Sequence, residues 1–158
     1  MMDFYLWLEG TALSTWVREA PTIWAYATIL TLHTFGMGVL VGASMVLNLR
    51  VLGVGRTIPL TPLYVLFRVV WVGFWINLVT GAMLFGADAS TRGTQGLFLA
   101  KLLFVAVGVA TVILIKRHVY RSSADQVVVS NTAKRLALLS LLTWVVAITA
   151  GRLLAYVR

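Results

Sequence analysis

Four long apolar stretches alternate with shorter polar segments along the chain. The apolar stretches cover about residues 21–49, 62–86, 96–115 and 136–157, and the connections cover 50–61, 87–95 and 116–135. A helix needs about 20 mostly apolar residues to cross the hydrocarbon core of a bilayer. Pro21 and Pro62 stand at the start of the first two stretches, where proline is tolerated in a first helical turn. The pattern therefore predicts four transmembrane helices.

Residues 1–20 follow a different pattern. Phe4, Leu8 and Trp16 recur at roughly helical spacing among charged residues such as Asp3 and Glu9. Amphipathic helices of this kind lie in the membrane interface. We predict a short interfacial helix over 1–20 and a membrane domain over 21–158. Because short connections make consecutive helices antiparallel neighbours, the predicted fold class is all-α, an integral membrane four-helix bundle.

Composition supports this prediction and narrows the chemistry. The chain is 60% apolar and 11% charged, whereas soluble domains carry about 25% charged residues. It contains no cysteine, which excludes disulfides, cysteine-ligated iron–sulfur clusters and covalently attached c-type haem. The formal charge of +8 is concentrated between the apolar stretches, which indicates contact with anionic lipid rather than with nucleic acid.

The distribution of basic residues predicts an orientation. Connections 50–61 and 116–135 are basic and lie on the same side of the predicted bundle, whereas the opposite side also carries most of the acidic residues. Positively charged connections normally remain in the cytoplasm. We therefore expect a multi-pass protein of the bacterial inner (cytoplasmic) membrane, with both termini in the periplasm.

Small residues predict where the helices touch. Gly36, Gly38 and Gly42 occur in the first span, and Gly73, Asn77 and Gly81 recur at four-residue spacing in the second. Helices in lipid associate through such small side chains because their backbones approach closely there. We expect all these positions to lie at helix contacts.

His33 is the most informative polar residue of the predicted spans. It lies about 12 residues after Pro21, roughly 18 Å along the helix and near mid-membrane. It shares a helical face with the polar or soft side chains Thr22, Tyr26, Met37, Ser44 and Asn48. Such a stripe is expected to face the bundle interior. His33 is either a metal ligand, with haem iron or copper as candidates, or a structural histidine that hydrogen-bonds a neighbouring helix.

Two cations are candidate partners of a cofactor at His33. Lys101 and Arg152 lie roughly 6–8 Å inside the predicted outer boundary, about 10 Å above His33. This offset resembles the distance from a haem iron to its propionates. Lys101 and Arg152 are therefore predicted to bind the propionates of a b-type haem, with Tyr26 adding a hydrogen bond. The alternative is that both cations reach out to the headgroups.

Other histidine and methionine residues define the alternatives. His118 is predicted at the opposite surface, more than about 20 Å away, which makes it a poor second axial ligand. Met37 lies one turn from His33 and could bind copper together with Met83. Packing is the simpler interpretation of both methionines.

Two short segments carry a resemblance to known membrane proteins. The segments HTFG at 33–36 and NLRVLG at 48–53 resemble an uncharacterised family of four-helix bacterial inner-membrane proteins with a first-span histidine and a helix end like DLRLLG. Asn48 replaces the acidic residue of that pattern, whereas the pairs Thr80-Gly81 and Lys101-Leu102 fit it.

More distantly, the layout is similar to copper-resistance-D-like proteins and to the membrane protoporphyrinogen oxidase family. Both have a first-span histidine and a lysine early in the third span. The latter resemblance implies a b-type haem on His33, with Lys101 as the matching lysine.

The leading hypothesis is a b-type haem-binding electron-transfer subunit, linking quinone to a partner redox protein. A non-catalytic accessory subunit of a larger membrane complex and a copper-handling membrane protein are the alternatives. No span contains an acidic residue, and no nucleophile stands beside a base, so a redox or accessory subunit is favoured over a stand-alone enzyme. We expect other membrane subunits or a homo-oligomer as partners.

Overall fold

The computed structural model describes residues 1–120 and 129–156 of the chain. In chain order its helices are α1 (Met2–Glu9), α2 (Ala12–Glu19), α3 (Tyr26–Leu52), α4 (Leu66–Ala87, after a 3₁₀ turn at Thr61–Val65), α5 (Ala89–Thr94), α6 (Gly96–Val119) and α7 (Asn131–Leu153). Four of them, α3, α4 with its 3₁₀ turn, α6 and α7, are long and apolar enough to span a membrane. The predicted all-α four-helix membrane bundle is confirmed.

Helix α3 begins later than the sequence indicates. Pro21 lies in a turn, in which the Thr22 hydroxyl accepts a hydrogen bond from the backbone N–H of Trp24 at 3.2 Å. Such side-chain bonds compete with helical backbone bonds, so the regular helix starts only at Tyr26. His33 is therefore about seven residues, or roughly 10 Å, from the start of its helix rather than 18 Å.

Charged residues at two helix ends belong to the helices rather than to the connections. Helix α7 starts at Asn131, because the Ser130 hydroxyl caps it by accepting from the Ala133 N–H at 3.1 Å. Helix α6 continues to Val119, with Lys116 and His118 in its last turn. Cations are favourable there because the carboxyl end of a helix carries partial negative charge.

The first 20 residues form two short helices instead of one. Thr11 separates them and caps α2 through its hydroxyl. Both helices pack onto the bundle. Tyr5 meets Phe85 edge-on with ring centroids 6.2 Å apart, and the Glu9 carboxylate accepts a hydrogen bond from the Ser90 N–H at 2.6 Å. Arg18 donates to the carbonyl of Ala87 at 3.4 Å.

The spans pack in the order α4, α3, α7, α6. Helix α3 packs closely against α4, α6 packs closely against α7, and α3 joins the two pairs through α7. Two aromatic contacts join α4 to α6 and its C-cap: Phe85 stacks on Phe98 at 5.2 Å at one end, and Phe67 meets Tyr120, the residue after α6, at 5.6 Å at the other. We call the first end, covered by α1, α2 and α5, the capped end, and the opposite one the basic end.

The main core lies between the two ends. Its buried apolar side chains come from all four spans and include Leu40, Leu47, Phe67, Val70, Val112 and Trp144. The polar stripe of α3 faces this core only in part. Ser44 and Asn48 are buried, as expected, whereas Tyr26 and Thr22 are exposed, contrary to expectation. The part of the stripe at the capped end is exposed because the chain turns before Tyr26 and none of the other three spans covers that face.

Candidate functional site

His33 is held against α4 by hydrogen bonds in both directions. Its Nδ1 lies 3.1 Å from the backbone oxygen of Asn77 and 3.0 Å from the Thr80 hydroxyl oxygen. The side-chain amide of Asn77 donates back to the backbone oxygen of His33 at 2.9 Å. The imidazole is half-buried. These bonds fix both the position and the orientation of the ring.

The partners of His33 also determine which ring nitrogen carries the proton. A backbone carbonyl only accepts hydrogen bonds, and the Thr80 hydroxyl directs its own proton to the Ile76 carbonyl at 2.6 Å. Nδ1 must therefore be the protonated nitrogen, which leaves Nε2 with a free lone pair. Among the described residues, Nε2 has no hydrogen-bond partner. Metal-binding histidines are oriented in the same way, by an Nδ1–H bond to a carbonyl.

Glycines allow α3 and α4 to approach closely enough for these bonds. A Cβ atom at Gly73 would lie 2.6 Å from the Leu40 backbone nitrogen, and one at Gly36 would lie 2.9 Å from the Asn77 nitrogen. A Cβ at Gly81 would lie 3.0 Å from Cε1 of His33, so Gly81 leaves room for the ring. The predicted contact role of these glycines is confirmed.

A small cavity lies one helical turn below His33, among all four spans. It is lined by Met37, Leu40, Val41, Asn77, Lys101, Val105, Trp144, Ala147 and Ile148. Its volume is about 10 Å³. The Lys101 side chain extends along α7, where Nζ lies 3.7 Å from a Cβ position at Gly151.

The cavity relates His33 to Arg152. Met37 follows His33 by one turn on α3, and Arg152 follows Ile148 by one turn on α7. Because Met37 and Ile148 line the same cavity, His33 and Arg152 lie at neighbouring levels on the capped side of it. Arg152 is exposed, and Tyr26 is 50% exposed at the start of α3. The structure thus brings His33 and Lys101 to one region, with Arg152 at its edge.

The depth relation predicted for a haem site is not present. His33 lies roughly 10 Å, and Lys101 roughly 7 Å, from the capped ends of their helices. The expected offset of about 10 Å falls to a few ångströms, since it was measured from Pro21 rather than Tyr26. No carboxylate in ranges 1–120 and 129–156 pairs with Lys101 or Arg152.

The remaining metal-ligand candidates lie elsewhere. His118 is in the last turn of α6 at the basic end, where its Nδ1 lies 2.8 Å from the Leu114 carbonyl oxygen. Met83 packs against Val17 and Ile29 at the capped end, in a different cluster from Met37. Within the described part of the chain, no three histidine or carboxylate side chains form a group that could hold a metal ion.

Sequence reasoning missed the roles of Thr80 and Trp144. Trp144 is 1% exposed, and its Nε1 has no acceptor among the described residues. Its indole rests on Gly108, where a Cβ would lie 2.9 Å from Cζ2. A mid-span glycine opposite a tryptophan was the available signal, but it becomes informative only once α6 is known to pair with α7.

Together, the fold and these residues define a multi-pass α-helical membrane protein with a histidine-centred polar site in the capped half of its bundle. Comparison with protein-family models, with curated proteins and with solved structures found no match for this chain.

Proposed function

We propose that this chain is a b-type haem-binding electron-transfer subunit of a bacterial inner membrane, with His33 as the axial ligand. The observation that supports it most strongly is the oriented imidazole. Asn77 and Thr80 both accept from Nδ1–H, so that Nε2 keeps its lone pair on a membrane-spanning helix. The bonds to α4 alone also suit a structural histidine, so the proposal rests on Nε2, which has no partner among the described residues.

Two cations that have no carboxylate partner among the described residues support the same proposal. Lys101 lies beside the cavity next to His33, and Arg152 lies one turn beyond it. Charges inside a membrane are costly and usually serve a function. In the proposal they neutralise the haem carboxylates, and the exposed Tyr26 hydroxyl adds a hydrogen bond. The bound haem would supply one-electron transfer, with quinone on one side and a redox protein on the other.

The size of the interior limits where such a group could bind. A cofactor pocket usually measures about 300–1,000 Å³, whereas the cavity below His33 offers about 10 Å³. His33 suits an axial ligand, but the closed interior does not accommodate a porphyrin. The proposal therefore requires the haem to lie at the edge of the bundle, reached from the half-buried His33 and the exposed Arg152, and a second chain to complete its enclosure.

Visible spectroscopy tests the proposal. Protein purified in mild detergent from a haem-replete host should show a Soret band that shifts on reduction with dithionite. His33→Ala should abolish the band, whereas His118→Ala should retain it. A colourless wild-type protein, or a band that survives His33→Ala, would refute the proposal.

A second candidate, a non-catalytic subunit of a membrane complex, is favoured by one specific observation. Gly38 and Gly42 were expected at contacts within the bundle, but a Cβ at either position would meet nothing within 4 Å. They lie on an open face of α3, where Phe35 and Thr34 line a shallow groove. Small residues four apart on an open face suit close packing of another membrane helix.

Association distinguishes this candidate from the first. Under this candidate the purified protein is colourless, and Gly38→Leu, which fills the groove, should release a co-purifying subunit. Retention of every partner in Gly38→Leu would argue against it. Copper analysis of the same sample tests the third hypothesis, for which the separation of Met37 from Met83 offers no support.

We also infer that the basic end faces the cytoplasm, because Arg50 and Arg56 lie there with Lys116 and Lys134. The chain contains no cysteine, so single introduced cysteines report topology directly. Thr91→Cys at the capped end should react with an impermeant thiol reagent in intact cells, whereas Thr57→Cys at the basic end should not. The opposite labelling pattern would reverse the orientation.

A further inference from the structure

The indole of Trp144 leaves a buried hydrogen-bond donor without an acceptor. Trp144 is 1% exposed, and its Nε1–H finds no acceptor among residues 1–120 and 129–156. Buried polar groups in folded proteins nearly always have a partner, from the protein or from an ordered water molecule. The indole is also held in place, because its six-membered ring packs on Gly108.

Lys101 brings a second set of unused donors to the same place. Its ammonium carries three N–H groups, and none finds an acceptor among the described residues. Its side chain passes Gly151, with Cε 3.4 Å from a Cβ position there. Lys101 and Trp144 line one cavity from two different helices.

The cavity has room for one small occupant. Its volume is about 10 Å³. This is close to the lower limit of about 10–15 Å³ for holding one water molecule, provided that the site supplies two to four polar partners. Trp144 and Lys101 supply donors, and Asn77 adds an amide at the wall of the cavity.

We propose that this cavity binds one small hydrogen-bond acceptor, a water molecule or a halide ion of similar size, between Trp144 Nε1 and the Lys101 ammonium. The occupant satisfies the indole N–H and links α6 to α7 through polar contacts at mid-bundle. A halide would in addition balance the charge of Lys101, which has no carboxylate partner in ranges 1–120 and 129–156. Because the ammonium has three N–H groups, one can hold this occupant while another contacts a cofactor carboxylate, and the test does not require a cofactor at His33.

Nuclear magnetic resonance of protein labelled with ¹⁵N-tryptophan in detergent tests the proposal. The Trp144 indole signal is identified by its loss in Trp144→Phe, or by slow exchange in D₂O should that variant fail to fold. A bound water should give a cross-peak between this indole proton and water. A bound halide should instead move the signal when chloride is replaced by gluconate at constant ionic strength.

Variants of Lys101 complete the test. Lys101→Met should shift the Trp144 indole signal, whereas Lys134→Met, at an exposed position of α7, should leave it in place. The proposal is overturned if the Trp144 signal shows neither a water cross-peak nor a response to chloride. It is equally overturned if Lys101→Met leaves the signal unchanged.

Discussion

The polar residues in the two halves of the bundle differ in burial and in hydrogen bonding. In the basic half, Ser44, Asn48 and Ser140 are fully buried, and the Asn48 amide donates to the Ser140 hydroxyl at 2.9 Å. In the capped half, His33 is half-buried, its Nε2 has no hydrogen-bond partner among the described residues, and Arg152 is exposed. A single polar stripe on α3 thus joins two helices at one end and leaves an imidazole nitrogen without a partner from the described residues at the other.

The comparison depends first on the contact that joins α3 to α4, because this contact positions His33. Gly73→Ala places a Cβ 2.6 Å from the Leu40 backbone nitrogen, and backbone cannot move aside as a flexible side chain can. We expect a loss of about 2–3 kcal/mol in the free energy of unfolding. Unfolding in detergent and denaturant, followed by circular dichroism, measures it.

Gly38→Ala is the matched control for that substitution. It makes the same chemical change on the same kind of helix, but its Cβ meets nothing within 4 Å. Since alanine favours helix over glycine by about 1 kcal/mol, the variant should be neutral or slightly more stable. Equal losses in the free energy of unfolding for the two variants would mean that α3 and α4 do not approach closely at Gly73.

The Asn48–Ser140 pair tests whether polar groups in the basic half serve stability. Asn48→Ala and Ser140→Ala should each cost about 1 kcal/mol or less, because hydrogen bonds between membrane helices average about 0.6 kcal/mol. Asn48 Oδ1 has no partner within the part of the chain that the structure describes, which reduces the loss for Asn48→Ala. A double-mutant cycle should give a coupling of roughly 0.6 kcal/mol. Additive losses would show that the bond contributes nothing.

Thr80→Val tests whether polar groups in the capped half serve orientation rather than stability. The exchange keeps the shape but removes the hydroxyl that accepts from His33 Nδ1, while the Asn77 carbonyl remains. Stability should change by about 0.5 kcal/mol or less, in line with hydrogen bonds between membrane helices. The ¹⁵N signals of His33 should nevertheless shift as the ring becomes less constrained.

Thr31→Val provides the control for that variant. Thr31 lies on the open face of α3, and its hydroxyl donates only to the Ala27 carbonyl within its own helix, at 2.8 Å. Thr31→Val should leave the ¹⁵N signals of His33 unchanged. If Nδ1 proves unprotonated in the wild-type protein, the assignment of the imidazole proton to Nδ1 is wrong.

The sequence pattern predicted the capped half less well than the spans themselves. Apolar length alone identified four spans, and the spacing of Gly73, Asn77 and Gly81 identified the face that meets α3. The start of α3 was placed at Pro21 because the competing hydroxyl bond of Thr22 is not visible in hydropathy. That error put His33 too deep and created the offset from Lys101.

Other features depend on which helices pack together, and no local sequence pattern predicts them. The cavity at Trp144 exists because α6 and α7 bring Gly108, Lys101 and the indole together. Gly38 and Gly42 resemble Gly36 in sequence, yet they lie on the face that no span covers. Only the rotation of α3 about its axis distinguishes these positions, and composition does not determine that rotation.

The smallest expected effect concerns the cover over the capped half. Glu9 on α1 accepts from the Ser90 N–H at the start of α5, and this backbone hydrogen bond holds the pKa of Glu9 below its ordinary value of 4.5. A lowered pKa in the folded state means that the contact contributes its full stability above pH 4.5 and loses it as the pH falls through the folded pKa. Hydrogen-exchange protection of α1 should therefore decrease on acidification, with exchange corrected for its intrinsic pH dependence.

Glu9→Gln should remove most of this pH dependence, whereas Asp3→Asn, at an exposed position of the same helix, should retain it. If protection falls equally in wild type and Glu9→Gln, the contact with Ser90 does not hold α1 on the bundle.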